Sequence, residues 1–149
     1  MNDKGQAFSV FRLLIGAILG LAILVIIISI IGYLDNWKGD ISKRNLYEGL
    51  DSAVETPNAE LVVRKNLTFK KGDSFNTRSF ETNSGLEKGC VELMKANLSA
   101  LELESNSIMI RQNTLIDVFY KCLKVNYSPP YDNCEIFCIV SFGKEPSGP

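Results

Sequence analysis

The sequence predicts an α+β protein, in which a long N-terminal transmembrane helix is followed by a small β-rich, sandwich-like head domain. Three observations predict it. Leu13 to Leu34 is a run of 22 residues without a charge. Apolar residues then recur at helical spacing as far as Thr56-Pro57, and beyond Pro57 they alternate with polar residues in short runs between turn signals.

The uncharged run would measure roughly 33 Å as an α-helix, enough to cross a hydrocarbon core. A cleaved secretory signal has a shorter apolar region and ends in a small-x-small site. Here the exit reads Gly32-Tyr33-Leu34-Asp35-Asn36-Trp37, with Tyr33 and Trp37 where interfacial aromatics sit. A retained span at about 13–34 is therefore expected, with membrane lipid as its surroundings. Within it, Gly16-x-x-x-Gly20 permits close helix packing. Ser29 is the one polar residue in the Ile-rich stretch, and its hydroxyl can bond back to the preceding turn.

Past the span, Trp37/Ile41, Leu46, Leu50 and Val54 carry the helical stripe, and Gly39 weakens it. Thr56-Pro57 ends it. The simplest use of the stripe is to lie on the domain that follows, which spans 57–149.

In that domain Leu61, Val63, Leu67 and Phe69 are expected on one side of a first strand, with Lys65 the exception to the alternation. Lys70-Lys71-Gly72-Asp73 reads as a turn, Ser74–Phe80 as a second extended piece, and Asn83-Ser84-Gly85 as another turn. Cys90–Met94, Leu98–Leu103, Ser107–Ile110, Leu115–Val125 and Cys134–Phe142 supply further short apolar runs, of which Leu115–Val125 is also compatible with a helix.

Four cysteines bear on the fold: Cys90, Cys122, Cys134 and Cys138. Cys134 and Cys138 share strand parity, so on one strand they would face the same way about 13 Å apart. A disulfide reaches no more than roughly 7 Å between Cα atoms. In an oxidised domain each must then pair with Cys90 or Cys122, which leaves two connectivities. Buried thiols are the alternative. A zinc site is disfavoured because there is no Cys-x-x-Cys knuckle and no histidine.

Catalytic signals are few. With no histidine there is no Ser-His or Cys-His nucleophile and no histidine metal site. Ser141-Phe142-Gly143-Lys144 matches Ser-x-x-Lys without its companion motifs. Glu92, Glu102 and Glu104 read as solvated strand residues. No cofactor motif occurs, and no enzyme activity is expected. The net charge of −1 gives no basic field for nucleic acid.

Lys4 and Arg12 on one side of the span, against Lys38, Lys43 and Arg44 on the other, do not choose an orientation. Three Asn-x-Ser/Thr sequons, at Asn66, Asn97 and Asn126, favour an extracellular head and are glycosylation candidates.

The N-terminus, Met1-Asn2-Asp3-Lys4-Gly5-Gln6-Ala7-Phe8-Ser9, sets a basic residue and Gly-Gln directly before the long apolar helix. It resembles the class III signal peptide of archaeal type IV pilin-like proteins. The resemblance implies that a prepilin-type peptidase removes a leader, 1–5, between Gly5 and Gln6, leaving a mature helix over 6–56. It further implies a lollipop-shaped subunit of a type IV pilus, whose helix packs with copies of itself or with other pilins. The head would then be displayed on a surface filament used in cell adhesion. The mature fifth position, often Glu in such pilins, is Val10 here. Arg12 is most simply an anchor at the cytoplasmic interface. The alternative from a different class is a membrane-tethered binding or accessory domain that never polymerises.

Overall fold

The computed structural model describes residues 3–147, and for residues 3–8 the backbone alone. Met1 and Asn2, the start of the expected leader, lie outside the described residues, as does the side chain of Gln6 just past its expected end. The fold is α+β, with a long apolar N-terminal helix followed by a β-rich domain of two sheets.

Helix α1 runs Asp3–Glu55. No proline interrupts it before Pro57, and it stops at the residues that the Thr56-Pro57 pair dictates. Thr56 Oγ1 donates to the carbonyl of Ser52, within the last turn. Asn58, at φ 65°, then turns the chain, and two hydrogen bonds tie it to β6 (Thr114–Lys124). Its N–H donates to Cys122 O at 2.9 Å and its Oδ1 accepts from Lys124 N at 3.1 Å.

The chain divides into two compact units between Lys38 and Gly39. The first is helix alone. The second, the head, takes in the final turns of α1 with everything after them. The helix face buried in the head is Gly39, Ser42, Leu46, Gly49, Leu50 and Ala53. Leu46 and Leu50 belong to the expected stripe, whereas Ile41 is 40% exposed and Trp37 56%. Counting apolar residues misplaces the stripe because four of the six buried positions, Gly39, Ser42, Gly49 and Ala53, are small. They bury little area themselves, yet they let the backbone approach the sheet. Gly39 lies inside this face and does not break the helix.

The larger sheet has the order β1-β6-β7-β3, with β1 Val62–Phe69, β3 Val91–Lys95 and β7 Ile136–Phe142. Its pairs are antiparallel except β3 with β7. The smaller sheet has the order β2-β5-β4, from Ser74–Asn76, Ser107–Ile110 and Leu101–Glu104. Phe69 and Phe142 of the first meet Phe75 of the second, with ring centroids 5.2 to 6.1 Å apart. These rings join both sheets to one core that also holds Leu46, Leu50 and Phe80.

Three expectations need correction here. On β1 the register shifts between Arg64 and Leu67, and Asn66 sits at φ 55°. This β-bulge reverses the parity of the strand. Val62, rather than Leu61 or Val63, packs on the core ahead of it, and Leu67 and Phe69 do so after it. Lys65 broke the alternation because it lies in the bulge.

The second correction concerns Ser74–Phe80, which is extended only to Asn76. Helix α2, Thr77–Ser84, follows. Asn76 Oδ1 accepts from Ser79 N–H at 2.7 Å as the N-cap. Gly85, at φ 66°, caps the other end and donates to Glu81 O. The Asn83-Ser84-Gly85 turn signal is therefore a helix terminus.

The third is the facing of Cys134. It precedes β7, in a turn, and joins Cys90, Phe137 and Ile139 in a second small core. Cys138, Val140 and Phe142 belong to the main core. A central strand buried on both faces carries no alternation to reveal this. By contrast, β6 is a strand with clean alternation, so the helical option for Leu115–Val125 drops out.

Candidate functional site

The first functional surface is α1 itself. Its most apolar 18-residue window has a mean hydropathy of 3.2 and none of it is buried. Among the described residues it is the helix long and apolar enough to cross a membrane. Leu13, Leu21, Ile28 and their neighbours are 41–76% exposed through the uncharged run, until Leu34 at 42%. A contiguous apolar surface of this size is far beyond what a soluble monomer shows to water. A covering of lipid or of other helices would remove it from water.

Polar groups in the run are few. Ser29 Oγ donates to Val25 O at 2.9 Å, so its hydroxyl is satisfied within the helix. Gly16 and Gly20 lie one turn apart on the same face, and a Cβ at either would meet nothing within 4 Å. The glycines thus form an open shallow strip against which another backbone can rest.

In the head all four cysteines are paired, Cys90 with Cys134 and Cys122 with Cys138. This is one of the two connectivities left open by the sequence, and it removes the buried-thiol alternative. The bonds do different work. Cys122–Cys138 links directly opposed residues of β6 and β7 with Cα atoms 4.1 Å apart. Cys90–Cys134 instead ties the start of β3 to the loop before β7.

That loop carries Ser128-Pro129-Pro130-Tyr131, with a cis Pro129–Pro130 bond. Its ends are closed by Val125 N and Asn126 N donating to Glu135 O, and Tyr127 N to Cys134 O. Tyr131 stacks on Phe137 with centroids 4.2 Å apart. Tyr127 Oη donates to Glu87, which raises the phenol's pKa through that hydrogen bond and the nearby negative charge.

A cleft of about 890 Å³ lies between α2, β3 and the β4–β5 turn. Arg78, Lys88 and Glu92 line it, with Glu81, whose carboxylate accepts Gly89 N–H at 2.7 Å. Reading Ser74–Phe80 as a strand hid this cleft. The Asn76-x-x-Ser79 capping pattern, with Gly85 at the far end, was the signal that could have revealed it.

The other flagged residues are scattered. Ser141 is 2% exposed within β7, while Lys144 lies in the exposed segment after it. Glu102 pairs with Arg111 on the surface of the small sheet. Glu92 faces the cleft, and Glu104 is exposed at the end of β4. Asn66, Asn97 and Asn126 are all exposed, in the β1 bulge, the β3–β4 connection and the loop after β6.

No family model, characterised protein or solved structure matches this chain.

Proposed function

We propose that the protein is a non-enzymatic structural component of the cell surface. In this reading it is a pilin-like subunit, major or minor, held in the membrane or polymerised through its N-terminal helix, with a sandwich-like extracellular head. The observation that carries the reading is the continuous, wholly unburied apolar helix joined to a head with two disulfides. The helix needs an apolar environment, and disulfides persist outside the reducing cytosol. The open Gly16/Gly20 strip supports packing against like helices. The partners are then membrane lipid, a prepilin-type peptidase acting between Gly5 and Gln6, and other pilins or further copies of this chain.

Arg12 favours a second reading, a tethered accessory head that never polymerises. A guanidinium inside a helix bundle costs several kcal/mol, on the order of other buried charges, unless it is paired there. At a membrane interface it reaches the headgroups at little cost.

N-terminal sequencing and intact mass of the protein from native membranes, with and without reductant and alkylation, test both. A chain beginning at Gln6 whose cysteines resist alkylation supports the processed subunit. A chain keeping the leader, with protected cysteines, supports the tether. Four freely alkylated thiols would overturn the extracellular head in either form.

A further inference from the structure

We infer that Asn66 and Asn97 carry N-linked oligosaccharides, and that these cover an exposed apolar patch on the head. The inference rests on the extracellular placement of the head proposed above.

The patch comprises Leu98, 43% exposed, Leu115, 65% exposed, and half-buried Phe119. These residues line one shallow depression together with Asn66 and Gly143. Asn97 is the immediate neighbour of Leu98, so the two sequon asparagines border the same apolar surface. Asn66 lines it and Asn97 adjoins it through Leu98, whereas Asn126 neither lines it nor neighbours a residue that does.

The side chains at both positions are available. The backbone N–H of Asn66 donates to Asp117 Oδ1 at 2.8 Å, which holds the bulge without using the carboxamide. Neither Asn66 nor Asn97 has a side-chain hydrogen bond among the described residues, and both are exposed. Asn58, Asn76, Asn83 and Asn113 behave differently, each spending its carboxamide on a structural hydrogen bond. Asn45, Asn106 and Asn133 are also unengaged, but none of them begins a sequon; the carboxamide of Asn126 is likewise unengaged and begins one, away from the patch. At Asn66 and Asn97 a free carboxamide, a hydroxyl residue two positions on (Thr68 and Ser99) and a bordering apolar patch coincide.

The donor is a polyprenyl-phosphate-linked oligosaccharide. The asparagine Nδ2 attacks the anomeric carbon, forming the N–C bond and losing a proton. The C–O bond to phosphate breaks, and the polyprenyl phosphate leaves with that electron pair. A flexible, hydrated sugar chain at each edge would shield the leucines from water-exposed association.

The test is peptide mass spectrometry of the full chain purified from its own host, with the cysteine state read on the same sample. Sugar mass on both the Asn66 and the Asn97 peptides is expected, with Asn66→Gln and Asn97→Gln each removing one increment from the intact mass. The double variant should also self-associate more readily than the wild type under the same detergent conditions. Bare Asn66 and Asn97 in a protein with both disulfides intact would overturn the inference alone, as would sugar confined to Asn126. Bare asparagines with four free thiols would overturn the extracellular reading beneath it as well.

Discussion

The phenolic oxygen of Tyr120 donates a 2.7 Å hydrogen bond to the carbonyl of Leu46, joining the central strand β6 to the last third of α1. The contact is wholly buried, Tyr120 and Leu46 both being 0% exposed. It exists because Gly49, one turn further along the helix, leaves room for the ring. A Cβ at Gly49 would lie 2.5 Å from Tyr120 Cε2 and 2.9 Å from Arg64 Cγ.

Gly49→Ala is therefore predicted to destabilise the head. Helix propensity alone favours Ala over Gly by about 1 kcal/mol. Overpacking against a buried ring costs about 1–3 kcal/mol, and the ring cannot withdraw without losing its bond to Leu46. A net loss in thermal or denaturant unfolding of the detergent-solubilised chain is expected. A gain would show that the helix does not lie this close to β6.

Tyr120→Phe should cost about 1 kcal/mol, the usual net worth of one buried hydrogen bond. The pH dependence is more diagnostic. Burial pushes the Tyr120 phenol far above its ordinary value, opposed in part by Arg64. Below pH 10 both folded and unfolded states hold the proton, and the stability is fully present. Above pH 10 the unfolded state releases it while the folded state retains it, so stability falls by about 1.4 kcal/mol per pH unit. Unfolding measured between pH 9 and 11 should show this slope, shallower in the Phe variant by the share Tyr120 contributes.

The two disulfides should differ in worth. Their partners are 44 and 16 residues apart in sequence. On the chain-entropy account the separate losses are about 4 kcal/mol for Cys90–Cys134 and about 3 kcal/mol for Cys122–Cys138. Cys90→Ala with Cys134→Ala should also speed amide exchange in 125–135, which depends on that tie. Cys122→Ala with Cys138→Ala should leave that loop protected and loosen the β6–β7 ladder instead. Hydrogen exchange by mass spectrometry separates the two patterns.

Asn76→Ala should remove the N-cap of α2, which is also a wall of the cleft, at a cost of about 1 kcal/mol. Asn76→Asp keeps the acceptor oxygen and should retain most of that stability. Equal losses in both variants would mean that Asn76 acts through something other than Ser79 N–H.

Much of this architecture is legible in the sequence because local chemistry settles it. Twenty-two uncharged residues define the apolar helix, and Thr56-Pro57 defines where it ends. The apolar run Leu115–Val125 marks an element there but leaves strand and helix open until burial of alternate residues decides it. The absence of a Cys134–Cys138 bond is as expected, although Cys134 lies before β7 and not on the strand assumed for it. Other features depend on distant residues. The bulge at Lys65-Asn66 is held by Asp117, 51 positions along the chain from Asn66, so neither its place nor the reversed parity of β1 can be read locally. The facing of Cys134 follows from a turn closed by Glu135 and Tyr131. The choice between two disulfide patterns follows from which strands are neighbours, β6 beside β7 beside β3. The value of Gly49 is likewise invisible along the chain. Its contribution is the absence of a side chain where the Tyr120 ring passes, and only the tertiary structure says what passes there.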